Sequence, residues 1–370
     1  MHIEQVSDKK GIERFIRFPW SVYEGNPLWV PPLIHEMRFL LSARNPFFQH
    51  AEAALFIAVN GNTTLGRIAA IIDHNHINIH KEQTGFFGFF ECLPGTDIAQ
   101  NLLNAASQWL KERGLETMRG PMNPSTNDEC GFLLEGFDST PMIMMPYTPP
   151  YYIRQMEDCG MDKSKDLYAY ISVIKDVSAG KRLERLAAGV HERVPGLTVR
   201  PADLKNFARE LAAVKDIYNS AWSRNWGFVP MTEEEIDSLA KRLKPLIAPD
   251  LLIMAEVDGE PVAFLMGVPD YNQVLKRING RLGPSGIMKF LWYSRKITDL
   301  RVMTMGVKES YRKRGIEGLL YLEVFRAAMR RGYEKAEMSW VLEDNVLMHR
   351  GCELMGGSLN KKYRIFEKRL

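Results

Sequence analysis

The clearest change of hydrophobic pattern lies between residues 300 and 331. Residues 300–307 form a short apolar run that is bounded by charged positions, as is typical of a buried strand. From residue 319 onwards, apolar side chains recur at helical spacing, at Leu319, Leu320, Leu322, Val324, Phe325, Ala328 and Met329. A basic segment that contains Gly315 and Gly318 joins the two. The pattern therefore predicts a strand, a glycine turn and a helix.

The turn between this strand and helix carries three consecutive bases, Arg312, Lys313 and Arg314. At the start of a helix, backbone N–H groups point at one spot and the helix dipole favours an anion there. Fixed positive side chains beside that spot strengthen the preference. The turn is therefore predicted to hold a phosphate, and the alternative is a basic turn that only caps an amphipathic helix.

Similar segments recur in the same order about 200 residues apart. Residues 26–31 resemble 225–230, and 55–61 resemble 252–259, each of the latter pair reading as a hairpin that turns at Asn-Gly or Asp-Gly. Residues 114–116 resemble 332–334, and 157–160 resemble 353–356. We therefore expect two similar α/β halves, 1–176 and 177–370. The first half lacks the basic turn, because its equivalent at 91–97 carries two acids and no base.

Composition narrows the class of protein. The chain has 370 residues, of which 45% are hydrophobic, and a formal charge of +3, which argues against a general nucleic-acid binder. There is no apolar N-terminal signal and no run of about 18 apolar residues, so a cytoplasmic protein is expected. The four cysteines are widely spaced and predict neither a zinc site nor a disulfide framework, and no metal is expected.

The order of strand, Arg-x-x-Gly turn and helix resembles the acyl-CoA-binding motif of the GNAT acyltransferase superfamily. The resemblance implies two tandem GNAT-like domains, each a mixed, splayed β-sheet flanked by helices, with a degenerate first domain. It also implies acetyl-CoA or a longer acyl-CoA as co-substrate. The residues that it assigns to acyl-CoA are Met305, Val307, Arg312, Lys313, Arg314, Gly315, Ile316, Gly318, Leu319 and Asn345. The chain departs from the motif at Glu317, where the family has a small residue.

Amide formation from a thioester needs a proton acceptor for the amine and a way to release the thiolate. The strand at 300–307 carries no carboxylate, so the candidate acceptors are Glu337 and Glu343, on and after the next strand. The family's tyrosine acid falls at Cys352, whose alternative role is that of a small buried apolar side chain. The expected reaction is acyl transfer from CoA to a small-molecule or lipid amine.

Two further stretches bear on function. Residues 121–131 form a polar loop that serves either as a functional loop or as a plain connection. Residues 271–298 contain six bases, no acid and many apolar side chains, which suit peripheral contact with a membrane surface or a lipid substrate. The alternative is a lid whose apolar face packs on the sheet while its bases stay in solvent. The alternatives to an enzyme are a catalytically inactive CoA- or acyl-binding protein and a membrane-surface interaction protein.

Overall fold

The computed structural model describes residues 1–223 and 225–370, and the chain divides into two compact units. The first unit comprises Met1–Leu167, Val274–Leu291 and Lys361–Leu370. The second unit comprises Tyr168–Gln273 and Trp292–Asn360. The chain therefore leaves the first unit and returns to it twice.

Each unit combines strands and helices, as the sequence pattern predicts. The strands are β1 (His2–Val6), β2 (Ala51–Asn60), β3 (Thr63–Asp73), β4 (Thr84–Cys92), β5 (Thr117–Gly120), β6 (Met122–Asn123), β7 (Glu129–Cys130), β8 (Phe132–Glu135), β9 (Asp162–Val173), β10 (Leu197–Pro201), β11 (Leu252–Val257), β12 (Glu260–Pro269), β13 (Asp299–Val307), β14 (Lys335–Leu342) and β15 (Ser358–Arg369). The helices are α1 (Lys9–Arg17), α2 (Pro19–Val22), α3 (Ile34–Leu40), α4 (His74–His80), α5 (Thr96–Lys111), α6 (Tyr151–Asp158), α7 (Val177–Ala187), α8 (Val190–Arg193), α9 (Phe207–Trp222), α10 (Glu233–Leu243), α11 (Asn272–Ile278), α12 (Pro284–Tyr293), α13 (Ile316–Arg330) and α14 (Val346–Leu354).

The sheet of the first unit has the strand order β1-β2-β3-β4-β5-β15. Neighbouring strands are antiparallel from β1 to β4, β4 and β5 are parallel, and β15 runs antiparallel to β5. Helix α5 packs on β2 and β3 and buries Leu102, Ala106 and Leu110, because its apolar positions recur every three or four residues. This helix and sheet form the core of the first unit.

The sheet of the second unit repeats this arrangement, with β10, β11, β12, β13 and β14 in sequence and the end of β9 beside β14. The strands β10 to β13 are antiparallel, and β13 and β14 are parallel. Helix α13 occupies the place of α5, with Leu320, Val324 and Ala328 buried in the core. The predicted mixed α/β fold with two similar sheets is confirmed.

Glycines mark equivalent points in the two halves. The chain is left-handed at Gly114 and Gly332, which follow α5 and α13, and at Gly160 and Gly356, which follow α6 and α14. A left-handed residue after a helix satisfies the last carbonyl groups, and glycine adopts it without a steric cost. These positions are the ones that the repeated sequence segments pair.

The C-terminal strand does not belong to the unit that precedes it. Residues Lys361–Leu370 lie in the first unit, where Phe366 pairs with Gly120 on β5 and Arg364 donates to Asp166 Oδ1 at 2.8 Å. Conversely, β9 enters the second unit at Tyr168. A division of the chain at residue 176 therefore describes the repeat in the sequence, whereas each compact unit is built from more than one stretch of the chain.

The insertion of the second half forms α11 and α12, and most of it packs in the first unit. Val274 and Ile278 are buried, and Trp20 Nε1 donates to Asn279 Oδ1 at 2.9 Å. A Cβ on Gly280 would lie 2.5 Å from the Trp20 ring, so the chain passes there only because residue 280 is glycine. Within the ranges that the structure describes, no helix has both the length and the apolar character needed to cross a bilayer.

Candidate active site

Strands β13 and β14 separate part-way along their length. Their parallel pairing runs from Asp299 and Lys335 to Val302 and Met338, although β13 continues to Val307 and β14 to Leu342. The register of β13 against β12 shifts next to this point, between Met266 and Gly267. Residues 302–305 are only half-buried in consequence. The second unit therefore has an opening between two central strands.

A hydroxyl and a backbone carbonyl lie on β13 beside this opening. Thr304 Oγ1 is buried and has no hydrogen-bond partner among the residues that the structure describes. The Met305 carbonyl accepts from Trp222 Nε1 at 3.3 Å, which ties α9 to the strand. Val307 pairs with Ala263 at the end of the strand. Buried polar groups are normally hydrogen-bonded, so Thr304 is a group that a substrate can use.

The glycine turn after β13 begins helix α13 at Ile316. Gly315 has φ +91°, and a Cβ there would lie 3.0 Å from Val190 Cγ2 and 3.1 Å from Arg193 Nη2. The first N–H groups of a helix have no intrahelical partner. Gly318 and Leu319 both donate to the Gly315 carbonyl, at 3.1 and 3.4 Å, so the N–H groups left at the tip are those before residue 318.

The basic side chains of the turn have different partners. Arg312 donates to the Ala221 carbonyl at 2.7 Å and to the Val307 carbonyl at 3.2 Å, and thus fastens the turn to α9 and β13. Lys313 and Arg314 are exposed. Arg193, from α8, donates to the Arg314 carbonyl at 3.4 Å and is also exposed. The positive charge available at the tip therefore comes from Lys313, Arg314 and Arg193, the last of which sequence reasoning missed because it lies far away in the chain.

The remaining motif residues lie on α13 and at the start of α14. Glu317 is half-buried in the first turn of α13. A Cβ on Gly318 would lie 3.2 Å from Leu186 Cβ, so this glycine allows α7 to pack against α13. Leu319 is buried in the core, and the Asn345 side chain accepts from Met348 N at 3.2 Å as the N-cap of α14. Gly318, Leu319 and Asn345 thus have structural contacts of their own.

The two candidate carboxylates differ in their surroundings. Glu337 is buried on β14 and accepts from Ser339 Oγ at 2.7 Å, and Arg301 in turn donates to that Oγ at 2.9 Å. Glu343 follows the strand and is half-buried. A buried carboxylate within a hydrogen-bonded network is held in place, whereas Glu343 has access to solvent.

Helix α14 brings a histidine to the second unit that the sequence analysis did not single out. The Tyr170 hydroxyl lies 2.8 Å from His349 Nδ1, and His349 Nε2 lies 3.1 Å from the Glu343 carbonyl oxygen. Since a carbonyl only accepts, Nε2 carries the proton and Nδ1 accepts from Tyr170. Burial raises the pKa of the Tyr170 phenol. No short motif signals this pair, because its members lie on β9 and α14.

Cys352 lies on the same helix and is fully buried. Burial raises the pKa of its thiol to about 12. A phenol is nevertheless close to α14, because a Cβ on Gly351 would lie only 2.8 Å from Tyr321 Oη. Burial also raises the pKa of Tyr321. Among the described residues, no cluster of three or more His, Cys, Asp or Glu side chains could hold a metal ion.

Comparison with known proteins shows which family has this arrangement of strand, glycine turn and helix. The sequence profile of the Acetyltransferase (GNAT) family matches residues 211–356. The chain is 36% identical over 369 residues to Protein YghO of Escherichia coli (strain K12), covering 98% of this chain and 94% of that protein. It is 35% identical over 368 residues to the bacterial ceramide synthase of Caulobacter vibrioides, covering 97% and 95%. The chain belongs to the GNAT acetyltransferase family.

Solved structures show that the GNAT fold is present twice. A tandem GNAT protein from the clavulanic acid biosynthesis pathway aligns over 100% of this chain and 98% of its own, with a TM-score of 0.59 at 12% identity. A GCN5-related N-acetyltransferase from Sphaerobacter thermophilus aligns over 99% and 95%, with a TM-score of 0.55 at 15% identity. The prediction of a tandem GNAT protein is confirmed.

The first unit of this GNAT protein fills its own strand opening. Its parallel pair, β4 and β5, stops after Phe86 and Arg119. Beyond that point, Asn123 on β6 accepts from the Phe89 N–H through Oδ1 at 2.6 Å. A Cβ on Gly88 would lie 1.7 Å from the Met122 carbonyl oxygen, so only glycine allows β6 this close. The chain itself therefore occupies the position that stays open between β13 and β14.

The segment at 91–97, which corresponds to the basic turn, also differs in charge. Glu91, near the end of β4, is half-buried and accepts at Oε2 from Tyr23 at 2.9 Å and from Tyr152 at 2.7 Å, with Arg67 Nη2 at 3.9 Å from Oε1. Burial raises the pKa of Glu91 to about 7. The aromatic residues at 86–90 and most of the methionine-rich segment 142–145 are buried in the same unit.

Proposed function

We propose that this GNAT protein is an acyl-CoA-dependent N-acyltransferase whose acceptor is a long-chain amine. The observation that carries the proposal is the opening between β13 and β14, which lies next to a helix start with three exposed bases. The similarity to the bacterial ceramide synthase of Caulobacter vibrioides supports the acceptor class, because a ceramide is an N-acylated long-chain amine.

Acyl-CoA would be held by the turn and the strand before it. The N–H groups of Gly315, Ile316 and Glu317 and the side chains of Lys313 and Arg314 suit its pyrophosphate, with Arg193 as a further cation. Gly315 supports this geometry because its φ of +91° is one that other residues rarely adopt, and a Cβ there would crowd Val190 and Arg193.

The strand and α14 complete this binding site. The Met305 and Val307 backbone suits the acyl carbonyl, and Asn345 lies at the start of α14. Arg312 contributes by fixing the turn, through its bonds to Ala221 and Val307, rather than as a free cation.

In the proposed reaction the amine nitrogen bonds to the thioester carbon and the C–S bond breaks. The amine proton passes to the protein, and the protein gives a proton to the departing sulfur, so that the products are the amide and the free thiol with no net change in protons. The Tyr170–His349 pair suits the first step, because Tyr170 Oη can accept a proton while its own proton moves to His349 Nδ1. Glu343 is the candidate carboxylate for the same role, and Glu337 is proposed to hold Arg301 and Ser339 in place.

Release of free thiol tests the proposal. The purified protein is offered acyl-CoA esters from acetyl to palmitoyl with either a sphingoid base or a short amine, and the amide is identified by mass spectrometry. We expect thiol release only with the sphingoid base, and an affinity that increases with chain length, since each buried methylene is worth about 0.8 kcal/mol. Thiol release that does not depend on the amine would refute the proposal.

Binding without turnover is the second candidate. It is favoured by Cys352, a buried thiol with a raised pKa at the position where the family has a tyrosine acid. Calorimetric binding of CoA with no thiol release for any amine would support it. Amide formation with a sphingoid base would exclude it.

A further inference from the structure

Helix α12 leaves its apolar side in solvent. Ile287 is 48% exposed, Met288 73%, Leu291 62% and Trp292 60%. Their spacing of one, three and one residue places all four on one side of the helix. A lid that packs this side on the sheet would bury them, so the structure contradicts that interpretation of the segment.

The opposite side of α12 is the one that holds it to the protein. Gly286 is buried, and a Cβ there would lie 2.5 Å from the Arg281 carbonyl oxygen. Lys289 Nζ donates to the Arg277 carbonyl at 3.3 Å, which ties α12 to α11. With α11 anchored by its own buried side chains, the outward direction of the apolar side is fixed by the packing of this segment.

The charged side chains of the segment that contains α12 are all basic. Residues 271–298 contain six bases and no acid, and all six bases are exposed: Lys276, Arg277, Arg281, Lys289, Arg295 and Lys296. Lys296 Nζ lies 4.9 Å from the centroid of the Trp292 ring, which brings charge to the edge of the apolar side. An apolar surface with tryptophan at its end and bases around it complements an anionic bilayer, whose surface potential attracts lysine and arginine.

We propose that α12 docks the protein on an anionic lipid surface, with Ile287, Met288, Leu291 and Trp292 entering the interface and the bases on the headgroups. The inference rests on the exposure and charge of this segment and does not depend on the proposed acyl transfer. Docking of α12 would bring the protein to the bilayer, where long-chain amines partition.

Vesicle co-sedimentation of the full chain tests the proposal. We expect binding to phosphatidylcholine vesicles that contain about one third phosphatidylglycerol, and at least tenfold weaker binding to pure phosphatidylcholine. Met288→Asp with Leu291→Asp should abolish binding, whereas Met329→Asp, at an exposed apolar position on α13, should not. Arg281→Gln with Arg295→Gln should weaken binding about 30-fold, since each base near the surface contributes about fivefold.

Fluorescence quenching and light scattering test the proposal further. Brominated lipid should quench the fluorescence of the wild-type protein more than that of Trp292→Phe. Equal vesicle binding by wild type and the Met288→Asp/Leu291→Asp variant would overturn the proposal. The proposal would also be overturned if light scattering showed that the wild type is a dimer and that the Met288→Asp/Leu291→Asp variant is a monomer, because a second copy of the chain would then cover the apolar side. Urea denaturation checks that each variant is folded, and it depends neither on vesicles nor on the proposed acyl transfer.

Discussion

Replacing Glu317 by glutamine should change stability and CoA affinity in opposite directions. Glu317 is half-buried in the first turn of α13, where the positive end of the helix dipole favours a carboxylate. Loss of that carboxylate should lower the free energy of unfolding by about 0.3–1 kcal/mol. The same carboxylate repels a pyrophosphate at the turn. Like charges a few ångströms apart in water repel by about 1 kcal/mol, so CoA should bind about fivefold more tightly to the variant.

Calorimetry with CoA and urea denaturation measure the two effects separately. Glu323→Gln serves as the matched control, because Glu323 is on the same helix about 9 Å further along its axis and already pairs with Arg326 at 2.9 Å. That distance is close to the screening length in physiological salt, so CoA affinity should stay as in wild type. If Glu317→Gln lost stability but bound CoA no more tightly, the pyrophosphate would lie elsewhere.

Three other perturbations test the site and the fold. Gly315→Ala should lower the free energy of unfolding in urea more than Gly332→Ala does. Both substitutions strain a left-handed backbone by about 1–2 kcal/mol, but only residue 315 has neighbours that an added Cβ would contact. Only Gly315→Ala should also lower CoA affinity. His349→Gln should lower kcat at least tenfold and leave CoA affinity unchanged in calorimetry; equal kcat would remove the Tyr170–His349 pair from the mechanism. The folded-state pKa of Glu91 is raised to about 7, so its contribution to the free energy of unfolding is complete below about pH 4.5 and is lost as the pH rises to about 7. This change is about 3 kcal/mol, and Glu91→Gln should abolish it in denaturation curves measured across this pH range. If the variant kept the pH dependence of the wild type, the raised pKa would be wrongly assigned to Glu91.

The sequence carried the local signals of the fold and little of its long-range arrangement. The strand at 300–307, the turn at Gly315 and the helix after it follow from hydrophobic period and glycine placement, which are local properties. The Tyr170–His349 pair and the position of Arg193 depend on which distant elements become neighbours. No periodicity encodes that choice.

The same limit explains two features of the motif and the insertion. Gly318 could be noticed in the sequence, but its contact with Leu186 depends on where α7 packs. Residues 271–298 had more than one interpretation because composition does not say which side of a helix faces the protein. The burial of Gly286 and the exposure of Met288 argue against a lid whose apolar side packs on the sheet, and membrane contact stays a proposal.

The discontinuity of the first unit has a consequence for dividing the protein. Residues Lys361–Leu370 complete the sheet of the first unit, on β5, although the whole second repeat lies between them and residues 1–176 in the sequence. A gene fragment that encodes only residues 1–176 would specify a sheet without that strand, with an unpaired edge on β5. We therefore do not expect a fragment of residues 1–176 to fold by itself, although it contains one complete copy of the sequence repeat.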